Sequence, residues 1–336
     1  MDWARLSDTL VYSAIAVYAL AMLAYAAEAA LRGRAAVVVD QAVGVGQAVL
    51  VPAVPFRWDE RSSLDSSPGP GPAAGGSRTD QRLGRVAVSL TVLAFLLHLM
   101  GLITRGLAAG RAPWGNMYEY AVAGGLAATG AYLIFLRRQP VKDLGAWIVG
   151  VVTLTLGLAV TVLYTPAGDL VPALNSYWLV IHVAAAIVSG GVFTLGAAAG
   201  LLYLLRLRLD RSHAEARTRP GEGTRSRYAA HLPAAAALEK VSHSAHVFAF
   251  PIWTFAVIAG AIWAEDSWGR YWGWDPKETW AFITWVLYAA YLHAQSTAGW
   301  RGRKATWFAL AGYLAFLFNF FGVNIWLPGL HSYAGV

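Results

Sequence analysis

Eight long apolar stretches limit what this chain can fold into more than any other feature of its sequence. They are Leu10–Leu31, Val86–Leu107, Met117–Leu136, Gly145–Leu163, Tyr177–Leu205, Val241–Trp263, Pro276–Gln295 and Ala305–Phe321. A helix that crosses the hydrocarbon core of a membrane needs about 20 mainly apolar residues. The composition agrees, because 57% of the residues are hydrophobic and only 13% are charged, about half the charged fraction of a soluble domain. We therefore predict an all-α fold, a polytopic integral membrane bundle of about eight transmembrane helices.

Lysine and arginine are unequally divided between the two sets of connecting segments. The stretches 32–85, 137–144, 206–240 and 297–304 carry 21 of the 26 basic residues. An excess of Lys and Arg marks the cytoplasmic side of a membrane protein. We therefore predict that these stretches are cytoplasmic and that both termini are extracytoplasmic, in a plasma (inner) membrane. The first apolar stretch lacks the basic start of a signal peptide and is too long for one, so we expect a retained helix.

Two cytoplasmic segments have the composition of linkers. The segment 32–85 contains a Ser-Ser-Pro-Gly-Pro-Gly-Pro run at 66–72, which cannot form a packed core, and 206–240 is a basic loop. We therefore divide the chain into an N-terminal transmembrane helix at 1–31, the linker, and a membrane domain at 86–336. Topology already explains the basic bias, so we expect the lipid bilayer, and no nucleic acid, as the partner of these residues. The absence of cysteine excludes disulfides and thiolate metal sites.

The most informative segment is the tryptophan-rich loop at 263–280. It places Trp268, Trp272 and Trp274 within seven residues, and it carries six charged side chains between positions 265 and 278. Each charge would cost roughly 2.5–3.5 kcal/mol at the bilayer centre, so the loop lies at or outside the interface, on the extracytoplasmic side. An aromatic belt at headgroup level accounts for some of the tryptophans. A flat aromatic surface that binds a planar ligand accounts better for their clustering.

The charged residues of this loop suggest the chemistry of the ligand. Arg270 and Lys277 can each bind a carboxylate, and a porphyrin with two propionates meets both demands. Asp275 has a structural interpretation that comes first. With Pro276 and Glu278 it has the pattern of an N-cap, N1 and N3 of a helix, which is a capping box.

The sequence here resembles a known family. The segment Trp268–Glu278 resembles the tryptophan-rich "WWD" motif of the CcsA/ResC haem-handling proteins of system II cytochrome c biogenesis, and the CcmC and CcmF proteins of system I carry a similar motif. Gly110–Glu119, Asn175–His182 and Gly329–Tyr333 resemble three further segments of the family. The resemblance covers roughly residues 86–336.

The resemblance implies a haem b bound as substrate at an outer site. Topology places His182, near the outer end of the fifth helix, and His331, in the C-terminal tail, on the side of the tryptophan-rich loop. Without the resemblance, His182 can be a buried helix histidine bonded to a neighbour, and His331 can be a solvated residue of the tail. The resemblance favours them as the two axial ligands of the haem iron. Asn116 and Glu119, at the start of the third helix, are either helix-start residues or part of the lining of that site.

A second haem site is implied by His293. This residue is about 16 positions into the seventh helix, roughly 24 Å below its outer end, so it cannot join the outer pair. The resemblance implies that it ligates a haem inside the membrane, with the second ligand supplied by a CcsB/ResB-type partner that has an extracytoplasmic domain. Depth alone favours His246 of this chain as the second ligand, and the choice stays open.

The resemblance also implies a function. The chain would move haem outward and present it on the tryptophan-rich loop for thioether attachment to an apocytochrome c that carries Cys-x-x-Cys-His. It would be the membrane subunit of a lyase-type cytochrome c synthase, and no catalytic residue is assigned. Two alternatives stay open: a haem-binding chaperone or exporter without attachment activity, and a transporter of another amphipathic substrate whose tryptophans form only a belt.

Overall fold

The computed structural model describes residues 2–46, 78–139, 141–168, 176–217 and 232–331. Within these ranges every regular element is a helix. Their bounds are α1 Trp3–Gly46, α2 Arg78–Ala109, α3 Met117–Arg138, a 3₁₀ turn at Lys142–Leu144, α4 Gly145–Thr161, α5 Tyr177–Arg217, α6 Ala235–Trp268, α7 Pro276–Ser296, α8 Arg303–Leu317, a π-helical turn at Phe318–Gly322 and α9 Val323–Trp326. Features of the sequence that lie outside the described residues are the run at 66–72, Asn175, His231, Tyr333 and positions 218–231 of the basic loop.

The predicted all-α membrane fold is confirmed. In the part of the chain that the structure describes, seven helices are long and apolar enough to cross a membrane, the last of them formed by α8 together with the turns that follow it. The eighth predicted transmembrane helix corresponds to α7, a helix of 21 residues, but α7 is less apolar than the seven helices just described. The reason is its polar ends, where Lys277 and Glu278 follow the first residue and His293 and Gln295 precede the last.

Several helices extend beyond the apolar stretches that predicted them. Helix α1 continues to Gly46, α2 begins at Arg78 and α5 continues to Arg217, so both predicted linkers begin and end as helix. An apolar stretch marks only the part of a helix that can lie in the hydrocarbon core of the membrane. The backbone hydrogen bonds of the helix can continue beyond that stretch. In the extension of α5, Arg206 donates to Asp210 one turn later at 2.9 Å, which supports the exposed helix.

The bundle is built around two long helix pairs, α1 with α2 and α5 with α6. Helix α3 joins them, because it packs against α5 of the second pair and α2 of the first, and also against α4, which packs against α1. Aromatic side chains fill the centre of the second half, where the rings of Phe193 and Tyr288 stack with centroids 3.8 Å apart. In the first half the buried hydroxyls pair with one another, as in the 3.0 Å contact between Tyr25 and Tyr132. Polar groups inside a membrane bundle need such partners because lipid offers none.

The alternating direction of the helices determines which ends meet. The ends of α2, α6 and α9 and the starts of α3, α5 and α7 lie at the same end of the bundle, which also carries the tryptophan-rich loop and the C-terminal tail. We call this the loop end. His182, His331 and the tryptophan-rich loop therefore come from separate elements but share this end, whereas His293 lies in the last turn of α7, at the other end.

Candidate functional site

A large cavity opens at the loop end between α3, α5, α6, α7 and α8. It contains about 1180 Å³ of space that no atom occupies, a figure that includes the part open to the surroundings. Its walls are mainly apolar and aromatic. The polar side chains that line it are Asn116, His182, Lys277, Glu278, Asn319, Asn324 and His331. We call it the aromatic cavity.

His182 lies in the second turn of α5, and a backbone hydrogen bond fixes its ring. The ring Nδ1 is 2.7 Å from the carbonyl oxygen of Ala256 on α6. A carbonyl can only accept, so Nδ1–H donates and the neutral ring carries its lone pair on Nε2. Gly260 allows this close approach, since a Cβ at that position would lie 2.7 Å from the imidazole. The ring is therefore oriented as a metal-ligating histidine usually is.

His331 is oriented by a side chain instead. Its Nδ1 donates to Oδ1 of Asp275 at 2.9 Å, and the backbone N–H of Leu330 donates to Oδ2 of the same carboxylate at 2.7 Å. Burial lowers the pKa of His331, and the hydrogen bond to Asp275 opposes that effect only in part. Burial raises the pKa of Asp275, but the hydrogen bonds from His331 and from the backbone outweigh it and hold the pKa at about 2. A neutral imidazole beside an ionised carboxylate is the expected state.

The predicted capping box is confirmed. The side chain of Asp275 accepts from the backbone N–H of Lys277 at 3.1 Å, and that of Glu278 accepts from the backbone N–H groups of Gly273 and Asp275 at 2.8 and 3.1 Å. One carboxylate thus caps α7 and holds the C-terminal tail. The N-cap interpretation and a site role for Asp275 are therefore compatible, because the cap places the carboxylate beside His331.

Trp263 connects the two histidines. It is 2% exposed, its indole is nearly parallel to the His182 ring at 6.3 Å between centroids, and it lies 5.6 Å from the ring of His331. Trp268 packs edge-on against both Trp263 and His331, at 4.8 and 5.0 Å. Trp263, Trp268 and the two histidines together make one wall of the site.

The other two tryptophans of the motif, Trp272 and Trp274, lie on different sides of the cavity wall. Trp272 lines the aromatic cavity, whereas Trp274 is 65% exposed and packs on the outside against Trp272 and Phe282, at 5.7 and 6.2 Å. The backbone explains the separation, because Trp274 has a φ of 59°. That left-handed conformation costs a bulky residue about 1–3 kcal/mol, and it directs the side chain away from its neighbour.

The two cations of the loop also separate. The guanidinium of Arg270 lies over Gly273 and 3.8 Å from Oε1 of Glu278, outside the cavity lining. Lys277 lines the cavity, and its Nζ donates to Oδ1 of Asn324 on α9 at 2.6 Å. A ligand in the cavity therefore meets Lys277 and not Arg270.

Asn116 and Glu119 have different surroundings although they belong to one turn. Asn116 is the N-cap of α3, where it accepts from the N–H of Glu119 at 2.8 Å, and it lines the cavity. Glu119 is completely buried and forms ion pairs with Arg105 at 3.0 Å and Arg111 at 2.7 Å. Glu119 therefore holds the α2–α3 loop together and does not line the cavity.

The comparison with protein families identifies this chain. Residues 114–331 match the family model described as "Cytochrome C assembly protein", a span that includes the α3 cap, both histidines and the tryptophan-rich loop. The chain belongs to the cytochrome c assembly protein family. Seven helices among the described residues are long and apolar enough to cross a membrane, and the protein is an integral membrane protein.

This cytochrome c assembly protein is similar to several proteins named CcsA. "Cytochrome c biogenesis protein CcsA" of Guillardia theta is 34% identical over 259 residues, which cover 72% of this chain and 83% of the relative. The CcsA of Porphyra purpurea is 30% identical over 279 residues, covering 75% and 88%. The solved structure titled "Cytochrome c Heme Lyase CcmF" matches with a TM-score of 0.56 at 19% identity, over 96% of this chain. This chain spans about half of that protein, 47% of its length, and the likeness shows a shared fold alone.

The structure of this family member places the predicted site residues in two groups. His182, His331, Trp268, Trp272, Lys277 and Asn116 line one cavity, and Asp275 contacts it through His331. Arg270, Trp274, Glu119 and His293 do not line it. Sequence reasoning included Trp263 as the first residue of the tryptophan-rich loop but did not select it as a site residue, because it also ends an apolar stretch. It missed Asn319 and Asn324, which are isolated polar residues with no motif.

His293 and His246 face in different directions. His293 is exposed on the surface of α7. His246 is completely buried on α6, where its Nδ1 lies 2.6 Å from the carbonyl of Ser242 and its ring packs 4.8 Å from that of Tyr291. Within the described residues no cluster of three or more His, Cys, Asp and Glu could hold a metal ion by itself.

Proposed function

We propose that this chain handles haem during cytochrome c maturation, and that the aromatic cavity binds haem with His182 and His331 as axial ligands. One observation carries the proposal: two histidines from separate elements line one aromatic cavity, and each donates its Nδ1–H to a fixed acceptor. This orientation gives two neutral rings whose Nε2 lone pairs suit iron. The names of the CcsA relatives support the same role.

The chemistry of the cavity fits a haem as its substrate. The walls offer aromatic faces to a planar macrocycle. Four buried polar atoms of the lining have no hydrogen-bond partner among the described residues: Nε1 of Trp114, Nε1 of Trp263, Oε1 of Glu278 and Oδ1 of Asn319. Buried polar atoms are normally paired, so such atoms at a cavity wall favour a ligand that has polar groups of its own.

Each of the other cavity residues has a role in this proposal. Trp263, Trp268 and Trp272 pack against the macrocycle or its histidine ligands, and Asn116 fixes the start of α3 beside it. Asp275 is a positioning residue, because its carboxylate orients His331 and attaches the tail. Arg270 and Trp274 are assigned no contact with haem.

The haem is presented to an apocytochrome c on the extracytoplasmic side. This chain has no cysteine, so the thiols of Cys-x-x-Cys-His supply both sulphur atoms. Each S–H adds across one vinyl group: a C–S bond forms, and the hydrogen ends on the adjacent vinyl carbon. The histidine of the apocytochrome then replaces His182 or His331 on the iron.

A second haem site lies within the membrane at His293. Since this histidine is exposed on α7, its imidazole can reach a neighbouring chain, and His246 is turned inward against Tyr288 and Tyr291. We therefore assign the second ligand to a CcsB/ResB-type membrane partner. An exposed ionisable residue inside a membrane is costly unless it has such a partner.

The test of the proposed function is haem retention in the purified complex with its membrane partner. Bound haem and the reduced absorption spectrum are measured for His182→Ala, His331→Ala and the double variant, with and without added imidazole. His243→Ala is the matched control, because His243 is exposed on α6 away from the cavity. Loss of haem that imidazole restores supports the two ligands. Wild-type haem content and spectrum in all variants would refute them and favour an interfacial belt or another ligand.

A further inference from the structure

A π-helical turn interrupts α8 where this helix passes the aromatic cavity. The turn spans Phe318–Gly322, and such bulges occur often at functional sites because the wider turn redirects side chains. Asn319 belongs to this turn, is 6% exposed and lines the cavity. Its Oδ1 has no hydrogen-bond partner among the described residues. A carboxamide can present either its oxygen or its NH₂ group to a ligand.

Asn324 joins this turn to Lys277. Its Nδ2 donates to the carbonyl of Phe320 in the π-helical turn at 2.7 Å, and its Oδ1 accepts from Lys277 Nζ at 2.6 Å. Lysine has three N–H donors, so after one bond to Asn324 the ammonium still has donors for a ligand. Lys277 and Asn324 are thus hydrogen-bonded to each other, and Asn319 lines the same cavity from the adjoining π-helical turn. We call these three residues the Lys-Asn cluster.

Among the described residues, no carboxylate forms an ion pair with the Lys277 ammonium, and Asp275 acts on it only through a longer-range charge interaction. Asp275 accepts from His331 and from the backbone. Glu278 accepts from two backbone N–H groups, and its second oxygen lies beside Arg270. The hydrogen-bond partner of the Lys277 ammonium is a neutral amide. A lysine held by a neutral amide at the wall of a mainly apolar cavity is suited to an anionic group on an apolar ligand.

The structure assigns the Lys-Asn cluster to the carboxylate of an amphipathic ring ligand. This rests on the proposed function, in which the ligand is haem, and specifies which edge of it is held: a propionate is bound by Lys277 and Asn319, with Asn324 positioning the ammonium. The vinyl groups of haem lie on the edge opposite the propionates, so this anchor directs them away from α8. The cluster, and not Arg270, selects porphyrins that carry free carboxylates.

The experiment compares iron protoporphyrin IX with its dimethyl ester, in which both carboxylates are blocked. The affinity of each is measured by absorption titration of the haem-depleted complex for wild type, Asn319→Leu, Lys277→Met and Arg270→Met. Asn319→Leu keeps the side-chain shape and removes the polar atoms. We expect wild type and Arg270→Met to prefer the free acid by about tenfold or more, a ratio typical of one charge-assisted hydrogen bond. Asn319→Leu and Lys277→Met should lose most of that preference and bind the ester as wild type does.

A charge-placing variant covers the case in which a substitution disturbs folding. Asn319→Asp puts a carboxylate beside the propionate, so it should prefer the ester. Lys277→Arg should retain the preference for the free acid. The six-coordinate spectrum of the ester complex reports the histidine ligands independently of the carboxylate. If Asn319→Leu and Lys277→Met keep the wild-type preference, or if Arg270→Met loses it, the assignment is wrong. If wild type binds neither porphyrin, the proposed function itself fails.

Discussion

Asp275→Asn tests how strongly the tail histidine depends on a single carboxylate. Asparagine caps helices as well as aspartate does, so α7 should keep its start. The hydrogen bond to His331 loses its charge, which reduces its contribution from about 1.5–3 kcal/mol to about 0.5–1.5 kcal/mol. In addition, the carboxylate now accepts from three donors, and the amide NH₂ of asparagine must face some of them. It faces either the ring of His331 and the N–H of Lys277 at one oxygen position, or the N–H of Leu330 at the other.

These effects set the expected magnitude. Together they should weaken the placement of His331 by about 1–2 kcal/mol, which corresponds to about a 5–30-fold faster loss of haem. The assay is the rate at which an excess of a haem-scavenging apoprotein removes haem from the purified complex. The thermal unfolding temperature, measured in parallel, should change little because the cap is retained.

A double-variant cycle separates orientation of the histidine from a general effect on the loop. If Asp275 acts through His331, then Asp275→Asn combined with His331→Ala should lose haem no faster than His331→Ala alone, because interacting residues are non-additive. Additive effects, or a wild-type rate of haem loss in Asp275→Asn, would show that the carboxylate does not position the ligand.

Three further predictions concern the walls of the cavity and the loop beside it. Trp263→Leu should lower haem retention by several-fold, since an aromatic pair contributes about 0.5–1.5 kcal/mol beyond its buried area. Trp274→Leu should change haem retention little, because Trp274 is exposed. Equal losses of haem content in the two variants would contradict this prediction. Gly260→Ala should displace the ring of His182, whose atoms lie 2.7 Å from the new Cβ, and should therefore alter the reduced absorption spectrum. Gly157→Ala is the control, because a Cβ at Gly157 meets open space, and its spectrum should match that of wild type. Glu119→Gln should destabilise the protein by about 3–5 kcal/mol, because it removes the charge between two buried arginines. The unfolding temperature should fall, while folded molecules should keep a wild-type haem spectrum. An unchanged unfolding temperature would contradict the structural role assigned to Glu119.

The helices and the cap could be predicted because their signals are local. A run of apolar residues identifies a membrane helix wherever it lies in the chain, so the described elements follow the apolar stretches. The capping box at Asp275 depends only on residues up to three positions apart. Alternation of helix direction then placed His182 and His331 at the same end of the bundle. What the apolar pattern did not give was helix length, since α1 and α5 continue past the ends of the apolar stretches that predicted them.

The members of the cavity wall were harder to predict because side-chain direction in the loop depends on backbone conformation and distant contacts. Trp272 and Trp274 are two positions apart and equally aromatic, yet a left-handed backbone at Trp274 places only Trp272 at the cavity. Arg270 and Lys277 are both cations of the same loop. Only the contact of Lys277 with Asn324, 47 positions away, brings its ammonium to the cavity.

By itself the sequence determined the class of the protein, the capped start of α7 and the side on which the two histidines meet, because hydrophobic length, capping and helix alternation are properties of short segments. Tertiary structure alone decided that Trp263 packs against both histidine rings and that Asn319 is buried at the cavity wall. The physical reason is that these positions depend on close packing between helices: α5 approaches α6 at Gly260, and the π-helical turn of α8 carries Asn319 to the cavity. Neither leaves a periodic signal in the chain.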